Sequence, residues 1–147
     1  MPEKELFVIG SGPDFEKLNA KKSTNINLLG YQSFSVLIEY MQNAKAFVFA
    51  ANEDFGITPV EAMACGTPVV AYGNGGSLET VIENKTGVFF YEQSKESIIE
   101  AIGTLDLIYP SLDFRYIREN AERFNQERFR QEIKDFIDKA YKKFSSK

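Results

Sequence analysis

The sequence predicts an α/β domain built on a doubly wound parallel sheet of about five strands. Short apolar runs alternate with amphipathic stretches along the chain, the pattern of strand–helix–strand units with right-handed crossovers. Two of the runs, 46–50 and 68–72, are apolar or aromatic throughout, as strands covered on both faces are. Glycine-rich turns follow several runs, where a parallel strand hands over to its crossover helix.

Each element follows from its own pattern. Leu6-Phe-Val-Ile9 reads as the first strand, followed by the turn Gly10-Ser-Gly-Pro13 and a helix over about 14–22. Ile-Asn-Leu-Leu at 26–29 makes a second strand, closed by Gly30. Val36, Leu37, Tyr40, Met41 and Ala44 recur at helical spacing, which predicts a helix with one buried stripe. The runs at 46–50, 68–72 and 87–91 supply the remaining strands. Helices are predicted over about 94–108 and 113–124. A last helix, about 126–144, gathers Phe129, Ile133, Phe136, Ile137, Ala140, Tyr141 and Phe144 on one face. Residues 142–147 are expected to fray. No repeat, low-complexity segment or linker interrupts the chain, so 1–147 is expected to form one domain.

Composition removes several function classes. The 147 residues carry a formal charge of −4, and no Lys/Arg patch is interleaved with stacking aromatics, which argues against a dedicated nucleic-acid binder. The segment from Ser111 is nonetheless basic, with 10 Lys/Arg against 7 Asp/Glu. It reads either as a solvated helix face or as a surface that meets anionic lipid or another domain. There is no His, so a Ser/His/Asp triad and a His-containing metal site are excluded. The single Cys65 allows neither an intrachain disulfide nor a zinc ribbon, and suits a reducing compartment. The apolar run at 47–51 is far too short to span a bilayer, and no signal peptide precedes the first strand. A cytoplasmic setting is expected.

The chemistry concentrates in residues 53–61, Glu-Asp-Phe-Gly-Ile-Thr-Pro-Val-Glu. Glu53 ends an apolar strand, where an unpaired acid taken out of water costs several kcal/mol, so a ligand is its natural partner. Thr58 reads as an N-cap, Pro59 as the first helical residue and Glu61 as the third, which would complete a capping box. Glu61 therefore either caps its own helix or accepts hydrogen bonds from a sugar diol. Gly10 and Gly12 let backbone approach a phosphate or nucleoside, although the third glycine of a dinucleotide fingerprint is replaced by Phe15; a tight turn is the alternative. Tyr-Gly-Asn-Gly-Gly at 72–76 is a further glycine-rich loop. Three such loops on the carboxyl edge of the sheet would outline a cleft for a phosphorylated ligand.

At these residues the chain resembles family 4 of the GT-B glycosyltransferases, which are retaining and use nucleotide sugars. The hallmark is a Glu-x7-Glu signature, matched by Glu53 and Glu61. The run continues to residue 70 as Ala-Met-Ala-Cys-Gly-Thr-Pro-Val-Val. Matching text flanks it at 7–13 (Phe-Val-Ile-Gly-Ser-Gly-Pro), 25–31 (Asn-Ile-Asn-Leu-Leu-Gly-Tyr), 75–81 (Gly-Gly-Ser-Leu-Glu-Thr-Val) and 86–90 (Thr-Gly-Val-Phe-Phe). The wording around the signature is most similar to GDP-mannose-dependent mannosyltransferases of polysaccharide assembly.

The resemblance implies a Rossmann-like donor-binding domain, the C-terminal half of the GT-B fold. Glu53 would be the catalytic-site residue that binds hydroxyls of the donor hexose. Amides of Phe55, Gly56, Ile57 and Thr58 would hold the sugar or diphosphate, and Glu61 the ribose. Gly30 and Tyr31 would contact the base through their backbone, with Gly10 and Gly12 bordering the pocket. No metal or other cofactor is implied, only a nucleotide diphosphate sugar as donor, GDP-mannose by the closest wording. The family's diphosphate-gripping Arg and Lys lie on a strand–helix unit before the match to 6–9, and its catalytic His lies on an acceptor-binding N-terminal domain. Both are expected to be absent here. The acceptor, a glycan or lipid-linked saccharide, would then need that missing domain. A donor-binding part that transfers no sugar alone is the implied state, with a non-catalytic binding module, a split-transferase subunit or a 2-epimerase as alternatives. Peripheral contact with the inner face of a membrane accompanies this expectation.

Overall fold

A computed structural model describes residues 1–145, in two compact units, Met1–Ala44 and a second that begins at Lys45. In the first unit β1 (Leu6–Ile9) pairs in parallel with β2 (Ile26–Gly30), Leu6 opposite Ile26 and Val8 opposite Leu28. The crossover carries α1 (Phe15–Asn19), and α2 (Phe34–Asn43) follows β2. Met41 is the buried residue of the α2 stripe, while the Phe7 and Tyr40 rings lie 5.2 Å apart between centroids. Helix α1 stops short of the predicted 22. Of its two large apolar residues Phe15 is only half-buried and Leu18 is exposed, so no packed face sustains a longer helix against its entropy.

The second unit holds β3 (Phe47–Phe49), α3 (Ile57–Ala64), β4 (Val69–Tyr72), α4 (Ser77–Thr80) and β5 (Gly87–Phe90). Then come α5 (Lys95–Ile108), a 3-10 turn (Tyr109–Ser111), α6 (Phe114–Glu122) and α7 (Gln126–Ser145). The sheet order is β3-β4-β5, all parallel. All five predicted strands are thus present with parallel pairing, divided between a two-stranded and a three-stranded sheet. Strand β4 is central, with Val69, Val70 and Ala71 wholly buried. Run 46–50 departs from expectation: β3 lies at the edge of its sheet, and Phe47 and Val48 keep partial exposure while Phe49 is buried.

The core of this unit unites Ala62 and Met63 of α3, Val88 and Phe90 of β5, Leu105 of α5 and Ile117 of α6 with β4. Asn120 of α6 is buried among them. Its Nδ2 donates to the Thr80 carbonyl at 2.8 Å, and its Oδ1 accepts from Arg123 Nη1 at 2.8 Å. Ser94 and Asp113 cap α5 and α6 by accepting from Ser97 N and from Arg115 and Tyr116 N.

Helix α7 is different. None of its residues is buried, and Phe129, Phe136, Tyr141 and Phe144 are each at least 65% exposed. It runs to Ser145, through most of the stretch expected to fray; Ser146 and Lys147 lie outside the described residues. No described helix is long and apolar enough to cross a membrane.

These contrasts set two stability outcomes. Asn120→Ala strands a buried carbonyl and is expected to lower the unfolding free energy by about 2 kcal/mol. Deleting 126–147 removes no buried side chain among the described residues and is expected to cost less than about 0.5 kcal/mol. Urea unfolding of both variants checks the pair; a larger loss on deletion than on Asn120→Ala refutes this account of the core.

Candidate functional site

Three loops leave the carboxyl end of the second unit's sheet, at 50–56 after β3, 73–76 after β4 and 91–94 after β5. That edge is where open α/β sheets bind ligands. The loops are tied to one another. Gly73 N–H donates to the Phe90 carbonyl, Gly76 N–H to the Glu53 carbonyl and Gln93 Nε2 to the Ala50 carbonyl, each at 2.8 Å. Contact between the first two loops is backbone on backbone. A Cβ on Gly76 would lie 2.3 Å from Phe55 Cα, and one on Gly75 2.4 Å from the Glu53 carbonyl oxygen.

Helix α3 starts earlier than its capping pattern predicts. Gly56 is the N-cap in a left-handed conformation (φ 77°, ψ 79°), and a Cβ there would meet the Phe49 ring at 3.3 Å. Thr58 is consequently the second helical residue, and no side chain caps the helix. The capping box does not form because the glycine, pinned above Phe49, begins the helix two residues before Thr58. Glu61 sits in the second turn, half-buried, without the capping role that competed with ligand binding.

Two consequences meet at this helix end. The amides of Phe55, Gly56, Ile57 and Thr58 donate to no acceptor among the described residues, which leaves partial positive charge at the start of the helix. Glu53 is exposed, so the expected cost of a dehydrated acid does not apply to it. Neither the Glu53 nor the Glu61 carboxylate makes a hydrogen bond or ion pair among the described residues. Phe55 packs edge-on against Phe124, ring centroids 5.5 Å apart.

The opposite end of α3 is neutralised. Arg118 Nε donates to the Ala64 carbonyl at 3.0 Å and Nη2 to that of Cys65 at 3.4 Å, setting a cation on the negative pole of the helix. Beside it the Cys65 thiol is pushed up from its ordinary range. Burial is the main cause; Arg118 opposes it, and the Glu61 charge adds to it.

The other predicted residues belong to the first unit. Gly10 N–H donates to the Gly30 carbonyl at 2.8 Å, which brings these two turns together, and Tyr31 is 84% exposed. Gly12 accepts from Phe15 N–H at 3.0 Å, and a Cβ on Gly10, Gly12 or Gly30 would meet nothing within 4 Å. Sequence reasoning passed over the loop after β5. Gln93 sits in no motif, and only the fold brings it to Ala50, 43 residues away. A shallow depression of about 300 Å³ near Asn84, Asp113 and Tyr116 lies toward the amino end of β5 and contains none of the predicted residues.

The family model described as "Glycosyl transferases group 1" matches residues 2–123. Over 119 residues the chain is 32% identical to the GDP-mannose-dependent α-(1-6)-phosphatidylinositol monomannoside mannosyltransferase of Mycolicibacterium smegmatis, covering 71% of this chain and 31% of that protein. A stretch of 48 residues is 52% identical to the α-1,3/1,6-mannosyltransferase alg-2 of Neurospora crassa, covering 32% of this chain and 10% of the relative. The chain thus spans about a third or less of these relatives' length. Among solved structures, Anabaena HepE in complex with UDP-glucose matches 95% of this chain and 42% of its own. Its TM-score is 0.76 at 23% identity, which shows a shared fold.

The thiol gives a pH prediction at this site. A raised pKa keeps Cys65 protonated at neutral pH, so iodoacetamide should alkylate it more slowly in the native than in the denatured chain. The rate should rise with pH, with a midpoint above that of the denatured chain. Glu61→Gln removes a charge that raises the pKa and should move the midpoint down; an upward or absent shift contradicts this placement of Glu61.

Proposed function

The chain belongs to the glycosyl transferases group 1 family, and we propose that it is the donor-binding part of a retaining glycosyltransferase. It moves a hexose, mannose in this reading, from a nucleotide diphosphate sugar to a glycan or lipid-linked acceptor. The observation that carries the reading is the start of α3: four amides and two carboxylates without partners among the described residues, at the sheet edge where α/β proteins bind ligands. GDP-mannose as the donor is supported by the mycobacterial relative, which is named as GDP-mannose-dependent.

In this reading Glu53 holds donor-sugar hydroxyls at the reacting carbon, and Glu61 accepts from the ribose diol. Amides of Phe55, Gly56, Ile57 and Thr58 stabilise the diphosphate, whose charge grows as the glycosidic bond breaks. Retention fits front-face displacement. The acceptor oxygen bonds to the anomeric carbon on the face the diphosphate leaves, and the acceptor proton passes to the departing diphosphate oxygen. No metal takes part, because the helix terminus supplies the positive potential.

In this reading the acceptor is held by an N-terminal domain of a larger transferase, and the side chains that grip the diphosphate come from a strand–helix unit before the match to 6–9. The bare apolar face of α7, basic at its end with Lys142 and Lys143, is available to that domain or to the cytoplasmic surface of an anionic membrane. A non-catalytic nucleotide-sugar-binding module, or one subunit of a split transferase, is the second reading and would use the same residues. Robust transfer by the chain alone would decide against it.

Calorimetry with GDP, UDP and their mannose and glucose conjugates tests the donor site. GDP-mannose should bind best, and unchanged in EDTA. Glu53→Ala should weaken GDP-mannose about tenfold, or 1.4 kcal/mol, with GDP itself little affected. Equal loss for both ligands would remove Glu53 from the sugar, and no binding by any nucleotide would remove the donor site.

A further inference from the structure

The loop 50–55 carries Glu53 and the first of the donor-binding amides, yet its own anchoring is sparse. Its side chains Asn52, Glu53, Asp54 and Phe55 are all exposed, and β3 ends at Phe49. What holds the loop comes from outside it. Gly76 N–H donates to the Glu53 carbonyl from the β4 side, and Gln93 Nε2 donates to the Ala50 carbonyl from the β5 side. The two bonds fall three residues apart on one short segment, and both are 2.8 Å long. The Gly76 bond is possible because residue 76 lacks a Cβ, which would otherwise sit 2.3 Å from Phe55 Cα.

We propose that Gln93 and Gly76 are positioning residues that brace the 50–55 loop from two sides and so fix the Glu53 carboxylate against the donor sugar. This deepens the donor-site reading and rests on it. Gln93 reaches the loop only through its side chain, at the Ala50 carbonyl. Its effect is therefore confined to the part of the donor that Glu53 holds. Of the amides that stabilise the diphosphate only that of Phe55 lies in the braced loop; those of Gly56, Ile57 and Thr58 belong to the start of α3, so the diphosphate end of the site depends little on the brace. Gln93 is exposed and its substitution leaves no buried group unsatisfied, so stability should hardly change.

The test is calorimetric titration of the 147-residue chain with GDP-mannose and with GDP, beside the thermal midpoint. Gln93→Met keeps the length of the side chain and removes the donor; Gln93→Glu places a carboxylate against the carbonyl. Both should bind GDP-mannose about threefold to tenfold more weakly than wild type, bind GDP as wild type does, and melt within about 2 °C of it. Gly76→Ala should lose more affinity for GDP-mannose, and because that change can also unfold the loop, the Gln93 variants decide the matter. Unchanged GDP-mannose affinity in Gln93→Met overturns the brace, as does parallel loss of both ligands with a lowered midpoint. Failure of the wild-type chain to bind either ligand overturns the donor-site reading first, and the brace with it.

Discussion

Strand β4 is the constraint on which the second unit depends. Val69, Val70 and Ala71 expose no surface, so both faces of the strand are covered and both edges are paired. A parallel strand in that position must be apolar throughout and must carry its polar residues at its ends. Everything with chemical potential is displaced to the loops beyond residue 72 and beyond its two neighbours. The site is thus a consequence of the core: burying the middle of the sheet sends the glycines, acids and free amides to one edge.

The same reasoning accounts for what the sequence disclosed and what it withheld. Strands 6–9, 26–30, 69–72 and 87–90 were legible because each is a compact apolar run bounded by glycine or a polar turn. Helix α5 was legible because its amphipathic run follows Ser94, a residue that accepts from Ser97 N–H. Helix α1 was overextended because charged residues at 16–22 permit a helix without giving it a surface to bury. The division into two sheets was not legible. Local patterning says that a strand is buried but not which strand lies beside it, and pairing is a property of the folded backbone.

In the candidate site, residue types were easier to read than residue roles. The pair Glu53 and Glu61 was visible from spacing, yet the argument for each changed. Burial was expected to make Glu53 a ligand-seeking acid, whereas it is exposed and simply unpaired. The capping role expected to compete for Glu61 disappears because Gly56 starts the helix. That shift depended on a contact between Gly56 and the Phe49 ring, two elements whose proximity no linear pattern records. Gln93 was silent for the same reason, since its partner is a backbone carbonyl in another loop.

Helix α3 shows how one element can be finished at one end and left open at the other. At its C-terminus Arg118 reaches across from α6 to the Ala64 and Cys65 carbonyls, so the negative pole is met by a cation. At its N-terminus a glycine cap contributes no side-chain acceptor, and the first amides have no acceptor among the described residues. A Ser, Thr or Asp at residue 56 would offer an acceptor to those amides, but the left-handed backbone strains any residue with a Cβ there, and the Phe49 ring would have to give way by a few tenths of an ångström. The glycine therefore does two things at once: it turns the chain from the Glu53 loop into α3, and it keeps the positive pole of that helix unoccupied. An anionic ligand that arrives at the sheet edge meets amides with no internal partner to displace, which is the electrostatic condition a phosphate site requires.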